Sequence, residues 1–487
     1  MMPYEYGFDQ FGEQDEFAQK PGKTTLGALR GAGFRYHSVK TEIRENMIAR
    51  LSMGQSAFPD IIGMDDDVLP DLERALLSLH DVLVIGARGQ GKTTLMRGLI
   101  GLLDVWLPYI DGSELHEHPM HPQSDWAKAI VEEMDDDTPV DWLHRSFRYA
   151  EKLATPDVTI SDLIGDVDPG KLTEGRSLDD PDVIHYGMIP AMNRGIIGLD
   201  ELPSLAPRAQ AALMNVMEER EIQVRGYSLR LPIDVIIVAS ANPQDYTRRG
   251  QIISPLRDRF GAQIKLHYPL TLDQEIELLN EKSELGPRDS NLFIPQVPRY
   301  LVEIVARFVQ AVREAPEVDQ RSGVGARFGI AALETIGGSS VRRASLHRED
   351  PIARICDVAT VVNNSLGKID FEDSAEGHEV EILTRLLRQS IAQTCRNNLG
   401  EVDLTPLQAK FDEGMSLTTG PDVSAEEVLR QLGTVPGFAT LLDQLGIPDG
   451  AESPGLAAGA VEFALEGLFL NNRLTKGTDA KQTVYKS

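Results

Sequence analysis

Residues 86–93 read GARGQGKT, which has the form GxxxxGKT. Glycines at this spacing let backbone N–H groups turn inward around a phosphate, Lys92 neutralises phosphate oxygens, and the Thr93 hydroxyl is a ligand for Mg²⁺. The segment follows an apolar run, Val82–Ile85, and leucines at helical spacing come after it in Thr93–Leu103. This order of strand, loop and helix predicts a site for a nucleoside triphosphate with Mg²⁺. Its candidate binding residues are Gly86, Ala87, Arg88, Gly89, Gln90, Gly91, Lys92, Thr93 and Thr94.

Two acidic residues follow a second apolar run. Gly195–Leu199 is predicted to be a strand, and Asp200 and Glu201 come directly after it. At the carboxyl end of a parallel strand, Asp200 is placed to hold Mg²⁺ and Glu201 to polarise an attacking water. Asn242 follows another predicted strand, so its amide lies at the same edge of the sheet and can orient that water. The pattern indicates hydrolysis of the bound nucleotide.

Composition narrows the class of partner. The chain has 487 residues, with 48 Lys and Arg against 75 Asp and Glu, and its formal net charge of −27 opposes binding to nucleic acid or to an anionic membrane. The two cysteines, Cys356 and Cys395, lie far apart and indicate neither a disulfide framework nor a cysteine zinc site. The sequence shows neither a membrane-length apolar run nor a signal peptide, so we expect a cytoplasmic protein with no membrane segment.

The remaining pattern predicts an α/β core followed by helices. Strand-like and helix-like segments alternate in the first half, and no convincing strand follows Leu270. The predicted parts are a mobile tail at 1–25, a nucleotide-binding core at 26–269 with an insertion at about 111–158, a helical lid at 270–345, a C-terminal helical domain at 346–474 and a tail at 475–487.

Two segments of the core have more than one interpretation. His116, His118 and His121 could contribute to a metal site, but such a site needs further ligands on a rigid frame, so a solvated loop is favoured. Residues 220–231 alternate around a glycine-containing turn and predict a β-hairpin. Its arginines, at 220, 225 and 230, either line a pore or belong to a solvated hairpin with interspersed charges, and the sequence leaves both open.

Several motifs together are typical of one family. They are FPDIIG at 58–63, the GxxxxGKT loop, DLIGDVD at 162–168, NRGIIGLDE at 193–201, NP at 242–243 and DRFG at 258–261. Over roughly residues 35–345 the combination resembles the AAA+ ATPases of the magnesium chelatase I-subunit and MoxR group. The resemblance implies a P-loop NTPase core, a parallel sheet with flanking helices, followed by an all-α lid. It also implies ATP and Mg²⁺ as cofactors, and homo-oligomeric rings that are usually hexamers.

The resemblance also gives roles to single residues. Asn242 matches the sensor-1 residue, and Ile61 and Ile62 join the nucleotide-binding set. Arg259 resembles the arginine finger that reaches the nucleotide of a neighbouring subunit, and Arg327 is similar to the sensor-2 arginine of the lid. The sequence keeps open, as alternatives, Arg248, Arg249 and Arg257 for the finger and Arg321 for sensor 2.

The favoured function is a ring-forming ATPase that remodels or activates a protein partner, chelatase-like or MoxR-like and in that sense a chaperone. Proteins of this group typically act with a separate protein that carries a von Willebrand factor A domain. One alternative is a magnesium or other metal chelatase ATPase subunit proper, disfavoured by the long insertion and the extra C-terminal domain. Another is a DNA-associated AAA+ helicase or transcriptional regulator, disfavoured by the net charge and by the lack of a basic recognition helix. A scaffold without turnover is disfavoured by the intact Lys92, Asp200 and Glu201.

Overall fold

A five-stranded parallel sheet forms the centre of the first half of the chain, and its middle strand, Val235–Ala241, is buried along its whole length. The strands on either side, Val82–Ile85 and Gly195–Asp200, are buried at all but their last residues. Continuous apolar runs of this kind are what parallel strands covered on both faces require. The structure therefore confirms the predicted α/β class.

The computed structural model describes residues 19–167, 184–223, 230–243, 251–287, 293–319, 323–400, 402–435, 438–447, 453–479 and 482–487. The chain divides into two units, Met1–His267 and Tyr268–Ser487. Strands of the first unit, in chain order, are β1 (Thr24–Thr25), β2 (Val82–Ile85), β3 (Trp106–Ile110), β4 (Pro139–His144), β5 (Tyr149–Leu153), β6 (Gly165–Val167), β7 (Ile184–Tyr186), β8 (Gly195–Asp200), β9 (Glu221–Gln223), β10 (Arg230–Pro232), β11 (Val235–Ala241) and β12 (Ala262–Lys265). Its helices are α1 (Leu26–Gly31), α2 (Val39–Ser52), α3 (Val68–Leu77), α4 (Lys92–Gly98), α5 (Asp125–Met134), α6 (Ile160–Leu163), α7 (Met188–Ala191), α8 (Pro207–Glu219) and α9 (Ser254–Arg259).

The register of the sheet sets which residues reach its carboxyl edge. The strands lie in the order β12, β2, β11, β8, β5, and every neighbouring pair is parallel. Ala241 pairs with Ile85, and Ala239 pairs with Leu199. The residues that follow these pairs therefore leave the sheet at one edge, where ligands of open α/β sheets bind.

Both faces of the sheet are covered by apolar clusters. Ile237 and Ala239 point into a cluster that includes residues of α8 and α9, whereas Ile236 and Val238 point into a cluster with residues of α2, α3 and α4. The alternation follows from the two-residue period of a strand. The helix that follows the glycine-rich loop, α4, thus packs on the second face.

Charged residues lie at the amino edge of the sheet, and two of them form ion pairs with residues of other elements. A charged residue directly precedes each of four strands: Asp81, Arg148, Arg194 and Asp234. The Arg148 guanidinium donates to both carboxylate oxygens of Glu42 in α2, at 2.7 and 2.6 Å. Asp81 accepts from Lys40 of α2 at 2.8 Å and also pairs with Arg220. Since a buried charge without its partner is costly, these pairs hold α2 against the starts of the strands.

The predicted insertion at 111–158 differs from the observed one at both ends. β3, β4 and β1 form a separate antiparallel sheet, called here the additional sheet. It includes Trp106–Ile110, which precede the predicted insertion, and residues 24 and 25, which belong to the predicted tail. β5, in contrast, is an edge strand of the parallel sheet. Its sequence, YAEKL, lacks an apolar run because an edge strand has a neighbour on one side and half-buried side chains. Residues 1–18 of the predicted tail lie outside the described residues.

The second unit is a helical assembly around one apolar cluster. Its helices are α10 (Leu272–Lys282), α11 (Arg299–Glu314), α12 (Ala326–His347), α13 (Ile355–Val358), α14 (Thr360–Ser365), α15 (Glu379–Leu399), α16 (Thr405–Asp412), α17 (Ala425–Leu432), α18 (Phe438–Gln444) and α19 (Pro454–Leu470). The predicted border between lid and C-terminal domain, at 345/346, falls inside α12, and helices from both sides of it share the cluster. Within the described helices, none has the length and apolar character needed to cross a bilayer.

The predicted tail at 475–487 is instead part of a small sheet. β14 (Thr475–Asp479) and β15 (Gln482–Lys486) pair with each other, and β15 also pairs with β13 (Leu417–Thr419). The polar sequence gives no local signal for this sheet, and one of its contacts with the rest of the unit is Tyr485, whose ring is buried and whose hydroxyl donates to Glu466 of α19. Lys476 adds an ion pair to the same carboxylate at 2.7 Å.

Candidate nucleotide-binding site

The glycine-rich loop connects β2 to α4 as its spacing predicts. Gly89 and Gly91 have φ angles of +71° and +80°, a region that disfavours other residues, and Gly91 is the N-cap of α4. The Gln90 side chain folds back so that its Oε1 accepts from the backbone N–H of Ala87 at 2.8 Å. A Cβ at Gly86 would lie 2.7 Å from that oxygen, so a larger residue there would displace the Gln90 side chain from this position. The loop is therefore shaped by its own residues.

Lys92 is the first residue of α4, and its side chain contacts the loop. Its ammonium donates to the carbonyl oxygens of Gly86 and Ala87, at 2.7 and 2.9 Å, and to Oδ1 of Asn242 at 2.5 Å. The ammonium of Lys92 is thus hydrogen-bonded directly to Asn242, the predicted sensor-1 residue at the end of β11. The register of β2 and β11 brings them together, since the N–H of Gly86 also donates to the carbonyl of Ala241 at 3.1 Å.

Asp200 and Glu201 lie beside these groups at the end of β8. The Asp200 carboxylate accepts a hydrogen bond from the Ser240 hydroxyl, and that hydroxyl accepts from the backbone N–H of Glu201 at 3.1 Å. Glu201 has φ +56° and ψ +44°, a left-handed conformation that costs a non-glycine residue about 1–2 kcal/mol. The chain therefore turns sharply at Glu201, and both acids stay at the carboxyl edge.

The residues at this edge fit a magnesium nucleotide. The N-terminus of α4 offers backbone N–H groups for phosphate oxygens, and Thr93 lies in its first turn. The Thr93 hydroxyl and the Asp200 carboxylate are oxygen donors, which Mg²⁺ prefers. Among the described residues, no group of three or more His, Cys, Asp or Glu is arranged to hold a metal ion by itself, so phosphate oxygens and water would complete the coordination.

The other proposed nucleotide-binding residues lie in the first unit. Ile61 is partly buried and packs on the apolar cluster of the α4 face, and Ile62 is half-buried next to it. Thr94 follows Thr93 in α4, and Arg88 is exposed on the loop. Their roles in binding remain predictions.

The predicted arginine finger, Arg259, ends α9 and has an exposed side chain that forms an ion pair with Glu218 of α8 at 2.6 Å. That carboxylate raises the pKa of the guanidinium. Arg257 is also exposed in α9, and Arg327 is exposed in the first turn of α12, in the second unit. The alternatives Arg248, Arg249 and Arg321 lie outside the described residues. The assignments of finger and sensor 2 stay predictions.

The structure changes the interpretation of the hairpin arginines. β9 and β10 pair as predicted, but Arg220 is the C-cap of α8 and has a structural role. Its guanidinium pairs with Asp81, directly before β2, and donates to the carbonyl of Val235 at 3.0 Å. Arg220 therefore does not project from the hairpin into a pore. Arg225 lies outside the described residues.

Sequence reasoning gave Ser240 no role. The signal in the sequence is a hydroxyl inside an otherwise apolar strand, VIIVASA, two residues before Asn242.

Parts of this chain are similar to known proteins. The model of the ATPase family associated with various cellular activities (AAA) matches residues 146–261, a range that includes Asp200, Glu201 and Asn242. The 38 kDa subunit of magnesium chelatase from Cereibacter sphaeroides is 27% identical over 205 residues, which are 41% of this chain and 55% of that subunit. The corresponding subunit from Rhodobacter capsulatus is 25% identical over 293 residues, which are 59% of this chain and 77% of that subunit.

Residues 146–261 of this chain thus match the AAA family of ATPases, and a larger part of the chain is similar to magnesium-chelatase subunits. The chain spans only 55% of the length of the first of these relatives. Among solved structures, a chain of the complex between subunits BchI and BchD of magnesium chelatase is 20% identical, with a TM-score of 0.36, and the match covers 69% of this chain and 94% of that chain.

The three histidines that follow β3 differ in exposure, since His116 and His118 are at least half-buried and His121 is exposed. His118 is buried, its Nδ1 accepts from the N–H of Met120 at 3.0 Å, and its ring meets the edge of Tyr36. His121 stacks on the same tyrosine, with ring centroids 4.3 Å apart. Burial, reinforced by the charge of Arg194, lowers the pKa of His116 to about 4 and that of His118 to about 3. The expectation of a solvated loop was wrong for His118, because its aromatic partner Tyr36 lies far away in sequence, whereas His121 is exposed.

Two of these residues, His116 and His118, should make the stability of the fold depend on pH. Because their folded-state pKa values lie below the unfolded value of about 6.5, the unfolded chain binds more protons below that pH, and the free energy of unfolding falls as pH falls towards about 4. The slope is about 1.4 kcal/mol per pH unit for each histidine. We expect His118→Asn, which keeps an acceptor for Met120, to reduce this slope by the contribution of one proton, about 1.4 kcal/mol per pH unit. Urea unfolding between pH 7 and 5 measures the free energy of unfolding from which the slope is obtained. His116→Asn should act alike, and unchanged slopes in both variants would contradict the assignment.

Proposed function

We propose that this chain is a Mg²⁺-dependent ATPase that acts in a homo-oligomeric ring and remodels or activates a protein partner. The observation that carries the proposal is the meeting of Lys92, Asp200, Glu201 and Asn242 at one edge of the sheet. They come from three places, which are the glycine-rich loop, the end of β8 and the end of β11, so the register of the sheet has to assemble them. A site of this composition is suited to phosphoryl transfer to water.

The roles follow from the chemistry of the side chains. Lys92 binds oxygens of the terminal phosphates, and the backbone N–H groups at the start of α4 bind the rest of the phosphate chain. Glu201 accepts a proton from the attacking water, which Asn242 orients by hydrogen bonding. Mg²⁺, when bound by Thr93 and Asp200, supplies charge neutralisation at the phosphate oxygens. A loose transition state leaves little covalent work for the protein, so positioning and charge dominate.

The proposed ring gives Arg259 a role. Its side chain is exposed, and in the proposed ring it would contact the nucleotide bound by a neighbouring copy of the chain. An arginine finger is worth roughly 10³–10⁵ in rate in related phosphoryl-transfer enzymes. In a ring, Arg327 would contribute to the sensor-2 position of the lid. A separate protein with a von Willebrand factor A domain is the proposed partner, and a hexamer is the proposed form.

A metal chelatase ATPase subunit proper is the second candidate, and the similarity to magnesium-chelatase subunits favours it. The matched regions cover 41% and 59% of this chain. The additional antiparallel sheet and the second unit of residues 268–487 extend the chain beyond a nucleotide-binding core. We therefore rank a remodelling ATPase first, and metal insertion with a purified partner would reverse that order.

Glu201→Gln should separate binding from turnover. The amide keeps the size and the left-handed turn but cannot take a proton, so we expect ATP affinity to change less than about threefold and the steady-state rate to fall by roughly 10²–10⁴. Filter binding of ATP and phosphate release measure the two quantities. Lys92→Ala is the opposite control, because it removes the charge that holds the phosphates and should abolish binding. Normal hydrolysis by Glu201→Gln would exclude Glu201 as the base.

Arg259→Ala should lose activity as a homogeneous protein and regain part of it when mixed with Lys92→Ala. In mixed rings, a subunit with an intact loop then lies beside a subunit with an intact finger, so some composite sites are complete. Arg74→Ala, which removes another exposed arginine paired with an acid, is the matched control and should leave the rate unchanged. If the mixture shows no more activity than the sum of the two variants, action across the subunit boundary is wrong.

A further inference from the structure

Ser240 is a polar side chain where the packing calls for an apolar one. It is fully buried, and its neighbours along β11 are Ala239 and Ala241. Successive side chains of a strand point to opposite faces of the sheet, so Ser240 lies on the same face as Ile236 and Val238. Both of these residues belong to the apolar cluster around α4. A buried hydroxyl is costly unless its hydrogen bonds are made. The fold alone therefore gives no reason for a serine here.

The two hydrogen bonds of Ser240 determine the orientation of its hydroxyl. The backbone N–H of Glu201 can only donate, so the Ser240 oxygen accepts there, at 3.1 Å. An ionised Asp200 carboxylate can only accept, so the Ser240 proton points at its Oδ1. One hydroxyl thus fixes a side chain and a backbone group of consecutive residues. The register permits this because Ala239 pairs with Leu199, which puts Ser240 level with Asp200.

Both bonds act on the parts of the site that phosphoryl transfer needs to be rigid. With Oδ1 bonded to Ser240, rotation of the Asp200 carboxylate is restricted, and Oδ2 is the oxygen that would bind the metal ion. The hydrogen bond from the backbone N–H of Glu201 to Ser240 holds Glu201 in its left-handed conformation, φ +56°. This conformation sets the position from which the Glu201 side chain extends. Partners of this kind, behind a metal ligand, typically change metal affinity or activity by 10- to 100-fold when they are removed.

We propose that Ser240 is a positioning residue that orients Asp200 for Mg²⁺ and holds Glu201 in place for water activation. The inference rests on the proposed function, since it concerns the same site. Ser240 touches neither nucleotide phosphate nor water in this role and acts through the two acids. Its hydroxyl therefore affects the dependence of nucleotide binding on Mg²⁺, and not the phosphate contacts of the loop.

The experiment compares Ser240→Ala with the unmodified chain by the affinity for a non-hydrolysable ATP analogue in Mg²⁺ and in EDTA. We expect the affinity in EDTA to change less than about twofold, and the gain in affinity on adding Mg²⁺ to shrink about tenfold. Ser240→Thr keeps the hydroxyl and should restore the gain. Ser390→Ala is the control, because Ser390 is equally buried but donates to Leu386 in its own helix in the second unit.

The outcomes separate the two claims. An unmodified chain whose nucleotide binding is indifferent to Mg²⁺ overturns the proposed function, and the inference falls with it. An unmodified chain with the Mg²⁺ gain, and Ser240→Ala with the same gain, overturns the inference alone. Equal losses in Ser240→Ala and Ser390→Ala would also overturn it, since a general loss of packing would then explain the effect. If Ser240→Ala does not fold, Ser240→Cys, a weak donor of similar shape, replaces it with the same criteria.

Discussion

The parallel register of β2, β11 and β8 is the constraint on which the site depends. Pairing of Ala241 with Ile85 and of Ala239 with Leu199 places the loop, Asn242 and the acids at one edge. A slip of one residue in any strand would turn every side chain to the opposite face, and the two apolar clusters prevent that. The burial that stabilises the sheet is therefore also what aligns the chemistry.

The two edges of the sheet have different tasks. At the amino edge, charged residues before the strands pair inside the protein, as in the bidentate bond between Arg148 and Glu42. At the carboxyl edge, Lys92 and Asp200 contact polar groups of the loop and of β11. Breaking a pair at the first edge leaves a buried charge and costs stability, whereas changes at the second edge would act on the proposed nucleotide chemistry. Arg220, a charged residue at the base of the hairpin, belongs to the first group.

The sequence predicted those parts whose signal is local. An apolar run predicted the strand Val82–Ile85, a glycine pattern predicted the loop after it, and a helical period predicted the helix Pro207–Glu219. Each of these signals lies within a short segment of the chain. β5 was missed since an edge strand has no apolar run, and the C-terminal strands were missed since Tyr485 finds Glu466 only in the folded chain. The role of Ser240 depends on a contact 40 residues away in sequence, which no spacing reveals. Patterns show what a segment can be, and long-range pairing decides what it contacts.

The central claim is that the groups gathered at the carboxyl edge hydrolyse ATP with Mg²⁺. The most direct measurement is steady-state phosphate release by the purified full chain in Mg²⁺ and in EDTA, with its mass followed by light scattering in the same samples. The account predicts turnover that requires Mg²⁺ and that appears together with ATP-dependent assembly into a ring. An assembled, ATP-bound protein that releases no phosphate in Mg²⁺ would contradict it.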